Sequence, residues 1–340
     1  MKDSLGRLGE FGLIDRLVRL CPTTSPRLRI GVGDDAAVLT SQAGTDLLVT
    51  TDVLVEGVDF KRLVWPFERL GEKALVVNLS DIAAMGGRPV AFFVALSLPA
   101  LARVRDAEAL YRGLGRAARR YGVVLAGGDV SAAPCWSIAV TVIGEVPRGR
   151  ALTRSGARPG DLLCVTGTLG DSAAGLDLLG RGQRVPRGLA QTHARWLIDR
   201  HQRPTPRLEI GTRLAQQRLA TSAIDLSDGL AADVRRLCEA SGLGVEIDLT
   251  ALPLSAALRA HATVARREAT NYALGGGEDF ELLVTVPPRQ LGRAKRLVAT
   301  DAPLTVIGRV TPARRGLAVI DAKGRRPLPR IGYEHFRNGG

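Results

Sequence analysis

No apolar run in this chain reaches membrane-spanning length: the best candidate, PVAFFVALSLPALA at 89–102, falls short of the roughly 20 residues a helix needs and holds two prolines. A membrane partner is therefore not expected. Cysteine is scarce, and Cys21, Cys135, Cys164 and Cys238 stand apart with no CxxC pair. That spacing points away from a disulfide framework or a zinc site and toward free buried thiols in a reducing compartment. The opening MKDSLGRLGEFGLIDRL alternates charged and apolar residues and lacks a signal-peptide core. A soluble, cytoplasmic protein is expected. Aromatic residues are few as well, 4% against 45% hydrophobic, so aliphatic side chains and alanine must build the core. Also missing are a long basic run and a basic patch interleaved with aromatics. The net charge of +13 comes mostly from arginines spread through helical patterns such as RVRDAEALYRGLGRAARRYG. No nucleic-acid partner is expected on that ground, although the excess attracts polyphosphates in general.

What is present is an alternation of strand and helix patterns over 340 residues, enough for two ordinary domains. The periodicities predict an amphipathic helix at 11–20, a strand in TDLLVTTDVL, a helix from Phe67 to about Met85 and a strand at 89–98. A helix at 104–121 and strands at 122–126 and 136–145 follow. The segment PRGRALTRSGARPGD (147–161) is rich in Pro, Gly and Arg and breaks all periodicity, which sets a boundary between domains 1–147 and 148–340. Beyond it come strand 161–166, helix 172–180, helices near 188–199 and 206–218, strand 222–226, helix 229–240 and strand 244–248. A helical stretch to about 273, strand 280–286, helix 288–299 and strands near 304–309 and 316–320 complete the pattern. Two halves of α/β or α+β type are expected.

The carboxylates are the informative residues. Surface aspartates usually alternate with Lys or Arg; several here do not. Asp34 and Asp35 lie in GVGDDAAVL, Asp52 in LLVTTDVLVEG, Asp81 in VVNLSDIAAMGG and Asp129 in VVLAGGDVS. Asp225 and Asp228 lie in SAIDLSDGLAADV, and Glu278 and Asp279 in LGGGEDFELL. Each sits beside small residues at the end of an apolar run. Burying unpaired charge costs several kcal/mol per ion, so a set of such sites asks for a compensating cation, and hard oxygen ligands select Mg²⁺ or Ca²⁺ over zinc. Glycine neighbours let the backbone approach an anion. Singly, each motif also reads as a turn or helix cap. GTLGDS (167–172) starts a helix whose N-terminus could hold a phosphate.

As a set the motifs resemble the thiamine-monophosphate kinase family. GVGDDAAVL, TTDVLVEGVDF, KALVVNLSDIAAMGG, GGDVS, LTRSGARPGD, VTGTLGDSAAGL, RPTPRLEIG, AIDLSDGLAADV and GGGEDFELL run in the family's order from about residue 9 to residue 336. The resemblance implies a two-domain fold like that of aminoimidazole ribonucleotide synthetase, with N-terminal sheets pairing into a barrel across a homodimer. It implies direct transfer of the γ-phosphoryl group of ATP to thiamine monophosphate, giving thiamine diphosphate and ADP, with several Mg²⁺ ions. By the same resemblance Asp35, Thr50, Thr51, Asp52, Asp81, Asp129, Asp225 and Asp228 lie at metal-binding positions. Some family members have Asn at the position of Asp129. Tyr111, Gly127, Gly128, Arg154 and Ser227 fall at nucleotide positions, and Asp59, Glu278 and Tyr333 at substrate positions. Asp59 stands where relatives often carry His, and Tyr333 where some carry Trp.

The chemistry agrees with this donor set. The acceptor is itself a phosphate, so two anions must approach against Coulomb repulsion of roughly 1 kcal/mol per unit-charge pair at bulk dielectric and more in a dry site. Asp35 is expected as a direct ligand, with Asp34 either supporting it from behind or forming the turn. A phosphate oxygen is already nucleophilic at pH 7, so no general base is assigned, and His193, His201, His261 and His335 lie outside the motifs. The competing readings are another ATP-dependent enzyme of the same superfamily and a non-catalytic binder of nucleotide or nucleic acid.

Overall fold

Aliphatic runs become strands and Ala- and Arg-rich stretches become helices in the computed structural model of the chain, which describes residues 5–32, 36–62, 64–182 and 184–335. Two units form: Met1–Ile82 with Gly87–Gly149, and Ala83–Gly86 with Arg150–Gly340.

The first unit contains α1 (Leu5–Val18), β1 (Leu28–Ile30), β2 (Val38–Leu39), β3 (Thr45–Val55), most of α2 (Phe67–Ala84), β4 (Arg88–Leu98), α3 (Val104–Tyr121), β5 (Val124–Ala132) and β6 (Ser137–Pro147). Its four-stranded sheet has the order β3-β6-β4-β5. β4 and β5 run parallel, joined through α3, and the other pairs are antiparallel. Helix α3 forms because Val104, Ala107, Leu110, Tyr111, Leu114 and Ala118 recur at helical spacing and are all buried. Gly122 ends the helix at φ +66°, the left-handed cap that glycine adopts freely. Glu68 of α2 pairs with Arg112 and Arg116 of α3 at 3.1 and 2.8 Å.

The second unit carries β7 (Leu162–Thr166), α4 (Asp171–Gly180), α5 (Gln191–Gln202), α6 (Leu208–Gln216), β8 (Ser222–Asp225), α7 (Leu230–Ser241) and β9 (Leu243–Asp248). They are followed by α8 (Ala256–Ala265), α9 (Ala269–Gly275), β10 (Leu282–Val286), α10 (Leu291–Val298), β11 (Leu304–Pro312), β12 (Leu317–Asp321) and β13 (Gly324–Pro327). Its seven strands lie in the order β13-β12-β9-β11-β7-β10-β8. Every β10 residue is buried, as a central strand covered on both faces must be. Leu163 and Val165 point into a core shared with Val234 and Leu237 of α7. Cys164, between them, points into the opposite core with Ile210, Leu214 and Val298.

The α/β class expected from the sequence is the one observed. The boundaries differ in instructive places. The strand expected at 122–126 runs on to Ala132 through Gly127, Gly128 and Asp129. The helical stretch expected up to about 273 is two helices, broken at Arg266, whose φ of +54° caps α8. The strand expected from 280 starts at Leu282, because Glu278 and Phe280 both take positive φ. Among the described residues no helix is long and apolar enough to cross a membrane.

Candidate active site

In the first unit the alternation of β3 sends Thr50 and Asp52 to one sheet face and Thr51 to the other. Asp81, on α2, lies beside Thr50, whose Oγ1 donates to Asp81 Oδ2 at 2.5 Å. Asp52 is exposed on its strand. Thr51 donates to the Val140 carbonyl at 3.2 Å and accepts from Thr141 Oγ1 at 3.1 Å. Asp34 and Asp35 lie outside the described residues.

A second group gathers on the opposite edge of the same sheet. Tyr111 of α3 and Gly127, Gly128 and Asp129 of β5 line a pocket walled by Ile14 and Leu17 of α1. Gly128 is required there, since a Cβ would stand 2.1 Å from the Val94 carbonyl oxygen of β4. Burial raises the Tyr111 hydroxyl above its ordinary pKa. Asp129 accepts from Ser131 Oγ at 3.0 Å. Register keeps the two groups apart. Asp52 lies in the row Val140–Val94–Gly128 and Asp129 in the next, Ala95–Ala139–Val53. They therefore occupy opposite faces of the two edge strands, three strand spacings or about 14 Å apart. Asp52 and Asp129 of one chain do not share an ion. Asp59 closes its own turn, accepting from the Val55 amide at 2.8 Å.

The second unit interlocks two of the acidic motifs. The Glu278 amide donates to the Ser227 carbonyl at 2.7 Å, the Phe280 amide to Leu226 at 2.9 Å and the Leu226 amide to Glu281 at 2.8 Å. The Tyr333 amide donates to the Asp228 carbonyl at 3.0 Å. Asp225, Ser227, Asp228, Glu278 and Tyr333 are thus gathered on one set of turns at the end of β8. Gly229 lets the chain leave β8 for α7 at φ +104°, where a Cβ would crowd the Gly275 backbone at 3.0 Å. Asp225 is buried opposite Leu282. The Tyr333 ring is exposed and meets His335 edge-on. Arg154 is exposed on the segment whose preceding residue, Thr153, accepts from the Ala223 amide alongside β8.

Several charged groups around these turns received no role in the sequence reading. Arg236 Nη1 lies 2.5 Å from Asp228 Oδ2 and 2.6 Å from Asp233 Oδ1. Burial, with the nearby Asp228 charge adding to it, pushes the Asp233 carboxyl up to about 7, against the pull of Arg236. Asp279 accepts from the Gly170 and Ser172 amides at 2.6 and 3.1 Å. It fills the N-terminus of α4, the place where GTLGDS could have held a phosphate. Burial pushes this carboxyl up to about 7 as well, opposed by those amides and by Arg200. Glu281, fully buried, accepts from Thr166 Oγ1 at 2.6 Å, Arg200 Nη2 at 2.8 Å and Arg207 Nε at 2.6 Å. Arg207 belongs to RPTPRLEIG, a motif that carried the resemblance without an assigned role.

The donors suit a hard cation. Among the described residues no three Asp, Glu, His or Cys side chains form a set that could hold a metal. Mg²⁺ needs fewer, taking one or two carboxylates and completing its shell with water and phosphate oxygens. Thr50, Asp52 and Asp81 offer only oxygen. At Asp228 a guanidinium already supplies the positive charge that the Asp228–Asp233 pair requires.

Comparison with known proteins identifies the family. Residues 33–146 match the family described as AIR synthase related protein, N-terminal domain, and residues 158–321 its C-terminal domain. The chain is 43% identical over 333 residues to thiamine-monophosphate kinase of Escherichia coli K12, covering 96% of this chain and 98% of that one. The crystal structure of thiamine-monophosphate kinase from Stenotrophomonas maltophilia K279a matches at a TM-score of 0.80 and 39% identity, covering 90% of this chain and 95% of that one. AaThiL complexed with AMPPCP and TMP matches at 0.77 and 38%, covering 98% of each chain. The chain belongs to the thiamine-monophosphate kinase family of AIR synthase-related proteins.

Proposed function

We propose that this chain transfers the γ-phosphoryl group of ATP directly to the phosphate of thiamine monophosphate, releasing thiamine diphosphate and ADP. The observation that carries this reading is the gathering of Asp225, Ser227, Asp228, Glu278 and Tyr333 on interlocked turns of the second unit. Thr50, Asp52 and Asp81, with Asp35, Thr51 and Asp129, are the first unit's metal-binding positions; Asp225 and Asp228 are the second unit's, Asp228 once its carboxylate is released from Arg236. Bound at these positions, Mg²⁺ would supply the charge neutralisation that lets two anions meet. Tyr111, Gly127 and Gly128, which line a small pocket of the first unit, are its nucleotide positions, and Arg154 and Ser227 are the second unit's. Glu278 and Tyr333 serve the thiamine end, the carboxylate facing its cationic or amino groups and the exposed ring stacking on a heteroaromatic plane. Asp59 accepts from the Val55 amide through Oδ2, which leaves its second oxygen to serve there. The attacking phosphate oxygen is ionised at neutral pH, so no side chain has to remove a proton.

The working form in this reading is a cytoplasmic homodimer. Edge strands β3 and β5 are open, and Leu47, Val49 and Val53 are exposed on one face of β3. Edge pairing between two copies closes eight strands into a barrel that covers those side chains and removes both edges. In a metal-free preparation given ATP and thiamine monophosphate, thiamine diphosphate formation falls below detection. Mg²⁺ restores it with ADP in equal amount, as chromatography of both products checks. Equal rates with and without chelator would contradict the metal assignment.

A further inference from the structure

We infer that His201, on α5, is a positioning residue that holds the Glu278 carboxylate toward the substrate's thiamine end. The inference rests on the reading of Glu278 as a substrate contact. Glu278 stands on a turn whose backbone is pinned from below: its own amide donates to Ser227, and the neighbouring Asp279 is locked onto the α4 amides. Its φ of +66° lies in the left-handed region, a strained conformation for a residue with a Cβ. Such a conformation fixes where the side chain starts. It does not fix where the carboxylate ends, because three torsions follow.

His201 settles the last of these. Its imidazole is 1% exposed, and Nδ1 lies 3.3 Å from Glu278 Oε2. The Glu278 side chain is 31% exposed, so one end rests on a buried ring while the rest reaches solvent. Ser172 Oγ lies 3.0 Å from the same Nδ1, and the Ser172 amide is held by Asp279. A carboxylate only accepts, so to hold Glu278 the Nδ1 must carry the proton, and the Ser172 hydroxyl on the same nitrogen then acts as an acceptor. The hydroxyl, the ring and the carboxylate thus form a chain of short polar contacts from the start of α4 to the exposed acid. The Nδ1 is shared between the buried Ser172 hydroxyl and the part-exposed Glu278 carboxylate, the side chain assigned to the ligand.

The test separates position from bulk. Asn places its amide nitrogen near where Nδ1 stands; Gln places it near Nε2. His201→Gln is expected to raise KM for thiamine monophosphate roughly tenfold, with kcat and the KM for ATP changed by less than about threefold. His201→Asn is expected to stay within about threefold of the unaltered protein in all three. Equal losses in both variants, or parallel rises in both KM values, would overturn the inference. Glu278→Gln is measured alongside. If it leaves KM for thiamine monophosphate unchanged, the substrate reading of Glu278 fails whatever His201 does. If it raises KM while His201→Gln does not, only the positioning inference fails. A measurement on the unaltered, ¹⁵N-histidine-labelled protein stands apart from variant folding: the His201 Nδ1 resonance shifts on saturation with thiamine monophosphate. A resonance indifferent to it would overturn the inference.

Discussion

Replacement of Asp52 by alanine lowers turnover by on the order of a thousandfold or more, while the thermal midpoint moves by no more than about 2 °C. The two halves of this expectation have separate causes. Asp52 is exposed at an edge strand, and its backbone stays paired with Val140 whatever side chain it carries, so folding loses little. Function loses much, because a phosphate acceptor and a phosphate donor repel one another and the account assigns their neutralisation to Mg²⁺ held by oxygen donors. Thr50 and Asp81 are already bonded to each other on that face, and Asp52 is the neighbouring carboxylate one alternation further along β3. Asp81→Ala is expected to lose activity comparably and to release the Thr50 hydroxyl as well. Steady-state kinetics at saturating ATP and raised Mg²⁺, with a thermal melt of the same samples, checks both halves. Full activity for Asp52→Ala in excess Mg²⁺ would remove β3 from the metal-binding assignment.

Replacement of Glu281 by glutamine destabilises the second unit by about 3–5 kcal/mol, a fall in thermal midpoint of roughly 10 °C. Glu281 is fully buried and its two oxygens meet Arg200, Arg207 and the Thr166 hydroxyl. Both arginine side chains are themselves nearly buried, at 12% and 13% exposed. Removing the carboxylate charge leaves two guanidinium groups in a low-dielectric pocket with an amide that cannot neutralise them. A charge removed beside exposed arginines would cost far less, because water screens it. The same carboxylate follows Phe280, whose φ of +49° is one of the strained positions that shape the Glu278 turn. Activity is therefore expected to fall together with stability. A thermal or denaturant melt decides the matter; a midpoint unchanged within 2 °C would show that the pair is not a net support of the fold.

Much of the fold could be read from periodicity where one face of an element is buried. The expected helices at 67–85 and 104–121 match α2 and α3 closely, because aliphatic residues repeat there at helical spacing without a breaker. The strands expected at 89–98 and 136–145 match β4 and β6 for the corresponding reason. Beyond Ala126, β5 was hidden. Gly127, Gly128 and Asp129 have low strand preference alone, and what makes them a strand is the neighbouring β4, against which only glycine fits at 128. The short strands β1, β2 and β13 carry too few buried residues to leave an alternation.

The acidic motifs were legible one at a time, and the resemblance gave them roles. Their grouping was not legible, because strand order is a long-range property. Nothing between residues 50 and 130 announces that Asp52 and Asp129 end on opposite faces of the two edges of one sheet. The charge partners were hidden for a related reason. Arg236, Arg200 and His201 lie on helices whose sequence looks like ordinary amphipathic surface, and only packing shows that each points at a motif carboxylate. Asp279 and Glu281 sit two residues apart in GGGEDFELL, yet one caps α4 and the other joins two arginines.

The most direct test follows the transferred group. The protein is incubated with ATP labelled in its γ-phosphate, Mg²⁺ and thiamine monophosphate, and the labelled products are separated. The account predicts that the label leaves ATP into the terminal phosphate of thiamine diphosphate, one for one with ADP. Label released as inorganic phosphate, with no labelled thiamine diphosphate, would contradict it.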